Sequence, residues 1–198
     1  MPFLRELICK QPQIMKMGYK HVSESQVSIT ELMLPSHSNF SGKVHGGHIL
    51  ELMDQIAFAC ASKHSGHYCV TASVNKVDFL NPIEVGDLVT LEASMNYTGR
   101  TSMVVGVRVI SENIRTGKKQ HCNSSYFTMV AKNESGESTA VPGLFLTNED
   151  EVRRFARSVV RQKEGKDRSS SFNSDVLRMP EHLHLLKSGN AKMQQIEK

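Results

Sequence analysis

The sequence lacks any hydrophobic run that approaches the length of a membrane-spanning helix. Its first ten residues, MPFLRELICK, contain no apolar core of signal-peptide length, and the acidic residue Glu6 among them is untypical of secretory and transit peptides. These absences predict a soluble protein located in the cytoplasm, without stable insertion into a membrane.

Cysteine is also scarce. The 198 residues include only four cysteines, and no two of them form a Cys-x-x-Cys pair. Isolated cysteines of this kind favour neither a zinc site nor a disulfide framework. Cys60 lies two helical turns beyond Asp54 in an apolar segment, and apolar surroundings raise the pKa of a thiol. We therefore expect buried, unreactive thiols.

Most of the chain has no excess of positive charge. Residues 1–150 hold 13 lysines and arginines against 14 aspartates and glutamates, whereas residues 151–198 hold 11 against 6. The net charge of +4 therefore arises entirely from the C-terminal segment. Because the larger part has no basic stripe interleaved with aromatic residues, the composition argues against nucleic-acid binding.

The sequence does contain one helical segment among several extended ones. Residues 47–64 have helix length, few β-branched residues and a glycine, Gly66, just beyond their end. Residues 27–34 alternate in the manner of a strand, and the stretch PSHSNFSGKVHGG that follows has the composition of a loop. Four further extended runs are separated by glycine-containing turns or loops: 69–80, 87–97, 101–111 and 120–131.

These elements predict an α+β fold in which a curved antiparallel sheet wraps around a long central helix. Short glycine turns force antiparallel neighbours, and the nearly all-round apolar surface of the helix requires other structure on most of its sides. A single sheet leaves surfaces and edges exposed, so we expect two such units to pair. After Pro142, apolar residues at helical spacing predict a basic amphipathic helix: Val152, Phe155, Ala156, Val159 and Val160.

One carboxylate is unexpected within the apolar helix. Asp54 lies between apolar residues on both sides in the sequence, and an unpaired carboxylate is strongly disfavoured away from water. A functional reason for its presence is therefore needed. Glu51, one turn earlier, is a competing carboxylate, but it belongs to a thin polar strip with His48 and Gln55 and ranks second.

The order of these features resembles the hotdog-fold acyl-CoA thioesterases, in particular the acyl-CoA hydrolases that include cytosolic long-chain enzymes of animals and small bacterial hydrolases. The resemblance spans about residues 20–162. A single motif such as HGG is a weak signal, but several stand here in the family's order: Asn39, GKVHGG at 42–47, LMD at 52–54, VTASV at 70–74, DF at 78–79, SEN at 111–113, TG at 116–117 and NEDE at 148–151.

The residue pattern and the resemblance together predict a domain organisation and an assembly. We expect a hotdog thioesterase domain over residues 15–145, an amphipathic helix over 146–164 that packs on this domain, and, from its composition, a basic tail over 165–198 with little sign of fixed structure. We expect a homodimer at least, and the resemblance implies a homohexamer built as a trimer of dimers as the fuller assembly. No cofactor is expected, because coenzyme A is part of the substrate and product.

The same resemblance implies hydrolysis of acyl-CoA to a free fatty acid and coenzyme A, with Asp54 of one subunit and Asn39 of its partner at one thioester. An ionised aspartate takes a proton from water or attacks the carbonyl directly, and both routes stay open. Backbone N–H groups of Gly46 and Gly47 at the helix start suit a developing oxyanion, and Asn39 offers a donor and an acceptor. Asp54, Asn39 and Gly47 are the predicted catalytic residues.

Further residues are expected to contact the substrate by the same resemblance: His45, Gly46, Val74, Asn75, Lys76, Arg100, Thr101, Ser102 and Arg115. Val74, Asn75 and Lys76 are placed along the pantetheine channel. Basic side chains suit the pyrophosphate and the 3′-phosphate of coenzyme A. Arg100 and Arg115 lie in turns, so an ordinary solvent-exposed role explains their presence as well as a contact with phosphate does.

Alternative functions remain. A non-catalytic, regulatory acyl-CoA-binding protein would use the same fold without a base, and a hotdog dehydratase would pair a histidine such as His48 with the helix acid. His45 is a base by type, although its position before a Gly-Gly helix start favours a structural role. His45 and His48 are spaced to share a metal ion, but the sequence offers no matching carboxylate or cysteine cluster, so no metal is expected.

Overall fold

The extended runs of the sequence fold into one antiparallel sheet and one short parallel pair. The computed structural model describes residues 18–171, with side chains through residue 165. The strands are β1 (Tyr19–His21), β2 (Val27–Leu32), β3 (Tyr68–Val74), β4 (Asp87–Thr98), β5 (Ser102–Asn113), β6 (Lys119–Lys132) and β7 (Gly143–Phe145). The helices are α1 (Val22–Ser25), a 3-10 turn (Pro35–His37), α2 (Gly46–Ser65) and α3 (Glu149–Ser171).

The main sheet has the strand order β2-β4-β5-β6-β3, with every neighbouring pair antiparallel. Alternation along the strands gives it one apolar face. In β4, Val89 and Leu91 are fully buried whereas Glu92 beside them is exposed. This apolar face packs on α2 to form a single core. The predicted α+β architecture, a sheet with a long helix and a further C-terminal helix, is confirmed.

The strands β2 and β3 lie at the two edges of this sheet. β3 pairs with β6 from Tyr68 opposite Lys132 to Val74 opposite Phe127, and its other edge has no partner strand among the described residues. β1 and β7 form a separate parallel pair. The free edge of β3 presents backbone donors and acceptors to which a second chain can add a strand.

The central helix α2 has defined ends. At its start, the side chain of His45 accepts a hydrogen bond from the N–H of Gly47. At its end, Gly66 adopts the left-handed conformation with φ 74°, and its N–H donates to the carbonyl of Ser62. The prediction of 47–64 therefore misses one residue at each end, as is usual where helix ends fray.

The curved sheet leaves one stripe of α2 partly exposed. Leu50 and Phe58 are each 36% exposed, and Asp54 midway between them is exposed as well. Residues four apart lie on one face of a helix, so these three side chains form a continuous stripe. The predicted curved sheet around a central helix is confirmed, since all five strands of the main sheet contact α2, and only this stripe of the helix stays partly exposed among the described residues.

The helix α3 begins with a built cap. The Oδ1 atom of Asn148 accepts the N–H of Glu151 at 3.0 Å, and Thr147 donates both its N–H and its hydroxyl to the Glu151 carboxylate. Burial raises the pKa of Glu151, but these hydrogen bonds and the nearby charge of Arg154 outweigh it and hold the pKa below its usual value.

The first turns of α3 contact the sheet. The ring of Phe155 lies 5.2 Å from that of Tyr97, and Ser158 is fully buried. The chain divides after Ser158 into two units, and the rest of α3 belongs to the second. That part extends to Ser171, beyond the predicted end at 164. Most of the predicted tail over 165–198 lies outside the described residues.

The predicted strand over 69–80 is shorter in the structure. β3 ends at Val74, and the chain then follows β6 only at isolated points, where Asn75 donates to the carbonyl of Tyr126 and Leu80 to that of Cys122. The composition of residues 75–80 suits an extended chain, but Pro82 and the turn before β4 follow directly and change the direction of the chain. None of the described helices is both long and apolar enough to cross a membrane.

Candidate active site

Asp54 lies on the exposed stripe of α2, next to the edge strand β3. The hydroxyl of Thr71 in β3 donates a hydrogen bond of 2.6 Å to Oδ1 of Asp54. Because the carboxylate accepts this bond with one oxygen, its other oxygen stays available. Thr71 therefore orients the carboxylate at the junction of the helix stripe and the free strand edge.

Two other acids or nucleophiles near Asp54 are less well placed at this edge. Glu51 is exposed and accepts a hydrogen bond of 3.3 Å from Gln55 one turn later, and it receives no hydrogen bond from β3 among the described residues. Cys60 is fully buried, and burial raises the pKa of its thiol to about 12. A thiol with that pKa is protonated at neutral pH and inert as a nucleophile, as the sequence predicted.

Asn39 holds the loop before α2 in shape. Its Oδ1 accepts hydrogen bonds from the N–H and hydroxyl of Ser41 at 2.9 and 2.7 Å and from the N–H of Lys43 at 3.2 Å. Two of these donors are backbone N–H groups, so the side-chain oxygen must face them. The Nδ2 group makes no hydrogen bond to any described residue, so Asn39 keeps a donor available for a ligand.

The loop that carries Asn39 is fixed at its base. Lys43 forms an ion pair with Glu84, and the N–H of Val44 donates to the carbonyl of Ile83 at 2.9 Å. The N–H of His45 donates to the carbonyl of His37 at 2.8 Å, which joins the two ends of the loop. These bonds give Asn39 a defined position relative to the start of α2.

The glycines at the start of α2 have different hydrogen bonds. The N–H of Gly47 donates to Nδ1 of His45 at 2.9 Å, so the predicted oxyanion donor already has a partner in the protomer. The N–H of Gly46 has none among the described residues. A Cβ atom at Gly46 would lie 3.1 Å from the ring of Phe79, which is half exposed above the helix start. Gly46 therefore has a backbone N–H available to a ligand, and the nearby ring of Phe79 leaves little room for a side chain at this position.

The predicted coenzyme A contacts lie far apart within one protomer. Arg100, Thr101 and Ser102 lie at the β4–β5 hairpin, whereas Arg115 lies at the β5–β6 hairpin. The 12 residues of β5 separate the two hairpins by about 37 Å at the usual rise of a strand. One protomer therefore cannot bring both basic turns to a single nucleotide.

The remaining predicted contacts follow β3. Val74 ends the strand and is exposed, and the carbonyl of Asn75 accepts a hydrogen bond of 3.1 Å from the hydroxyl of Ser125. The side chain of Lys76 is exposed and forms an ion pair of 2.9 Å with Asp78. These residues stand next to one another on the surface, downstream of Thr71 on the same edge of the sheet.

A cavity of about 560 Å³ lies on the opposite face of the sheet. Its polar lining includes Glu92, Asn96, Arg108, Tyr126 and Arg154. None of the predicted site residues lines it. The carboxylate of Asp54 therefore lies outside this cavity, on the exposed surface of α2.

One group of described side chains has the composition of a metal site. Glu31, His37 and His48 place their ligand atoms within 4.8 Å of one another. His45, the sequence partner proposed for His48, is instead engaged with Gly47. The sequence analysis missed Glu31 because this residue lies in β2, far along the chain from His48. It gave no role to Thr71 because β3 and α2 meet only in the folded chain.

Comparisons with known proteins identify the class. Residues 41–118 match the family described as Thioesterase superfamily. Protein VdlD of Helicobacter pylori is 40% identical over 139 residues, which are 70% of this chain and 79% of that protein. YkhA of Bacillus subtilis, named as an uncharacterized acyl-CoA thioester hydrolase, is 35% identical over 73% of this chain and 84% of that protein.

Solved structures agree. A hexameric acyl-CoA thioesterase superposes with a TM-score of 0.76 at 38% identity, covering 82% of this chain and 100% of that one. An acyl-CoA hydrolase from Staphylococcus aureus, in complex with butyryl coenzyme A and coenzyme A, gives 0.72 at 31% identity, covering 77% and 93%. This chain belongs to the thioesterase superfamily, among the hotdog-fold acyl-CoA hydrolases.

Three alanine variants of the S. aureus enzyme also have solved structures, replacing an asparagine, an aspartate and a threonine. In that enzyme the asparagine lies 15 residues before the aspartate, and the threonine 17 residues after it. Asn39, Asp54 and Thr71 have the same two separations.

Proposed function

We propose that the protein hydrolyses the thioester of acyl-CoA to a fatty acid and coenzyme A, with Asp54 of one protomer and Asn39 of its partner acting on one thioester. The observation that carries this proposal is the Asp54 carboxylate, held by Thr71 at 2.6 Å on an exposed stripe beside a free strand edge. The relatives named as acyl-CoA hydrolases and the S. aureus complex with butyryl coenzyme A support the substrate class.

The proposed reaction needs only water as a second reactant. Asp54 takes a proton from a water molecule, whose oxygen forms a bond to the acyl carbon, and the carbon–sulfur bond then breaks as the thiolate of coenzyme A receives the proton. Direct attack by the carboxylate, followed by hydrolysis of the anhydride, gives the same products. In either route Thr71 holds one oxygen of Asp54 and leaves the other free to act.

Hydrogen-bond donors are needed where negative charge develops on the thioester oxygen. Asn39 is suited to this role, because its oxygen is occupied within the loop and its Nδ2 group is the part left for a substrate. Gly46 at the positive end of α2 offers a further backbone N–H. The N–H of Gly47, which donates to Nδ1 of His45, would join them only after that hydrogen bond is broken.

A homodimer completes this site. The exposed residues beside Asp54 include Leu50 and Phe58 of the stripe, with Tyr68 and Val74 on the edge strand. A second protomer packed here covers apolar surface, adds a strand to β3 and brings its own Asn39 loop to Asp54. The hexameric relative makes a trimer of dimers the fuller assembly that we propose.

The same assembly accounts for the two distant basic turns. Because Arg100 and Arg115 lie at opposite ends of β5, we assign them to nucleotide contacts made from different subunits, with Thr101 and Ser102 beside Arg100. Val74, Asn75 and Lys76 run along the edge that leads away from Thr71 and suit the pantetheine arm. Coenzyme A serves as part of the substrate, and the cytoplasm is the proposed location.

Two other functions fit the site less well. A dehydratase would need His48 near Asp54, but the His48 ring stacks on His37 at 3.9 Å and its Nε2 lies 3.3 Å from Glu31. A regulatory acyl-CoA-binding protein would have no use for a carboxylate oriented by a hydroxyl. The hydrolase therefore explains the pairing of Asp54 with Thr71, which the other two leave unexplained.

The test is release of free thiol from acyl-CoA by the full chain. Asp54→Asn keeps the shape and removes the base, and we expect at least about a hundredfold lower turnover, the lower end of general-base contributions. Glu51→Gln is the matched control and should stay close to the unsubstituted chain. Turnover in Asp54→Asn like that of the unsubstituted chain would reject the assignment, and acyl-CoA binding without turnover in the unsubstituted chain would favour the regulatory protein.

A further inference from the structure

Three side chains that the proposed hydrolysis does not use meet beside the Asn39 loop. Glu31 comes from β2, His37 from the 3-10 turn and His48 from the first turn of α2. The Oε1 atom of Glu31 lies 3.3 Å from Nε2 of His48 and 3.8 Å from Nδ1 of His37. Among residues 18–165, it is the one group of three or more His, Cys, Asp or Glu whose ligand atoms converge in this way.

The donor set matches one class of metal ion. We propose that Glu31, His37 and His48 bind one divalent ion of the Zn²⁺ and Co²⁺ class, with water in the remaining position. Two imidazole nitrogens and one carboxylate oxygen suit these ions, whereas Mg²⁺ and Ca²⁺ prefer oxygen ligands only. In a tetrahedral site with metal bonds of about 2.0–2.1 Å, ligand atoms lie about 3.3 Å apart. The Glu31–His48 separation already has this value.

The burial of the cluster suits a bound ion. The side chains of His37 and His48 are 18% and 20% exposed, and that of Glu31 is 36% exposed. The ligands are therefore held by surrounding structure, yet an ion from solution can still reach them. The carboxylate supplies one negative charge, so a dication would leave the site with a single positive charge that coordinated water can stabilise.

The two imidazole rings lie side by side at the single carboxylate. They stack with centroids 3.9 Å apart, next to Oε1 of Glu31. A metal ion binds imidazole in its neutral form, so one ion can engage both rings at once. The N–H of Leu34 donates to Nδ1 of His37 at 3.3 Å, which is long for such a bond and readily exchanged for a metal bond.

The site would tie together the elements that position the proposed catalytic groups. His37 lies two residues before Asn39, and its carbonyl already accepts the N–H of His45. His48 lies on α2 six residues before Asp54. An ion shared by Glu31, His37 and His48 would therefore hold the Asn39 loop against both β2 and α2, a role that goes beyond thioester hydrolysis itself.

The test uses the full chain after treatment with a chelator, titrated with Co²⁺ as a spectroscopic probe. We expect one Co²⁺ per chain with the visible absorption of a low-symmetry nitrogen and oxygen site, displaced by Zn²⁺, and a higher melting temperature with Zn²⁺ than without. Glu31→Gln and His48→Gln should each weaken binding at least about a hundredfold, since loss of even an outer-shell partner weakens metal binding by 10- to 100-fold. Circular dichroism checks that each variant is folded.

Two control variants separate this site from other histidines. His67→Gln alters a half-buried histidine outside the cluster, and the double variant His182→Gln with His184→Gln alters histidines beyond the described residues. Both should bind Co²⁺ like the unsubstituted chain. Absence of the absorption at millimolar Co²⁺, its persistence in the folded Glu31→Gln and His48→Gln variants, or its loss in the His182 and His184 variant would overturn the proposal. The readout is metal binding, so a negative result leaves the proposed hydrolase intact.

Discussion

Asp54 shows which part of a site a sequence reveals. Its isolation among apolar residues predicted a functional role for it, because a carboxylate is retained in such a segment only where water, a partner or a substrate meets it. The sequence around Thr71 contains no comparable sign of a functional role. A threonine is ordinary in a strand, and only the packing of β3 against α2 places its hydroxyl 2.6 Å from the carboxylate.

The Thr71 hydroxyl is predicted to position Asp54. Thr71→Val keeps the size of the side chain and removes the donor, so the carboxylate loses its fixed orientation, and we expect kcat to fall about 10- to 100-fold. KM should stay within about threefold because Thr71 is not assigned to substrate binding. Thr71→Ser retains the hydroxyl and should recover most of the activity. Equal loss in the Val and Ser variants would show that the methyl group, not the hydrogen bond, is what matters.

His64 is predicted to make stability depend on pH. It is fully buried, its Nε2 donates to the carbonyl of Pro142 at 3.1 Å, and its Nδ1 accepts from the hydroxyl of Ser25. Burial holds its pKa below the usual value of 6.5, with the charge of Lys20 acting in the same direction; the hydrogen bond to Pro142 and the charge of Glu24 only partly oppose this.

The unfolded chain therefore binds a proton at His64 before the folded chain does. Stability from the neutral ring is present above pH 6.5 and is lost as the pH falls toward the lower folded pKa, by at most about 1.4 kcal/mol per pH unit. Urea unfolding at fixed protein concentration between pH 7.5 and 5 measures this. His64→Gln should flatten that dependence, and an unchanged slope in the variant would contradict the assignment.

Helix α2 was the most predictable element, because its length, apolar content and terminal glycine are all local features. Its capping was less predictable. The Nδ1 atom of His45 caps the helix, and histidine is not a residue type from which such a cap is usually predicted. This hydrogen bond occupies the N–H of Gly47, which was predicted to face an oxyanion. The competition between capping and catalysis is visible only when the hydrogen bonds are counted.

The end of α2 gives a test at the scale of the element. Gly66 has φ 74°, and no atom lies within 4 Å of the position that a Cβ would occupy, so a side chain there meets backbone strain but no clash. Gly66→Ala should lower the free energy of unfolding by about 1–2 kcal/mol. Gly66→Asn should lower it less, because asparagine tolerates the left-handed region. Equal losses in urea titrations of the two variants would show that something other than the left-handed backbone decides the effect.

The edge strand β3 shows where sequence reasoning overreached. Residues 75–80 have the composition of a strand, yet regular pairing stops at Val74. Pairing depends on the partner strand, and β6 offers this segment only isolated hydrogen bonds. A local pattern predicts an extended chain well, but it does not predict how far a neighbour follows.

At the scale of the whole molecule, we propose that one protomer holds only part of the active site. The fold was predictable because alternation along each strand and the apolar face of α2 both lie within one chain. The assembled site was not, because Asn39 and Asp54 do not exchange any hydrogen bond within the described protomer, and the two basic turns lie at opposite ends of β5. The resemblance supplied the cross-subunit pairing, and the exposed stripe beside Asp54 supports it physically.

The most direct test of that pairing mixes two inactive variants, Asn39→Ala and Asp54→Ala, under conditions in which subunits exchange. Random mixing makes half of the dimers heterodimers, and each heterodimer has one site with both groups intact. Thiol release from acyl-CoA should therefore recover to about one quarter of the activity of the unsubstituted chain. No recovery, with exchange demonstrated by mass spectrometry of isotope-labelled chains, would contradict a site shared between two protomers.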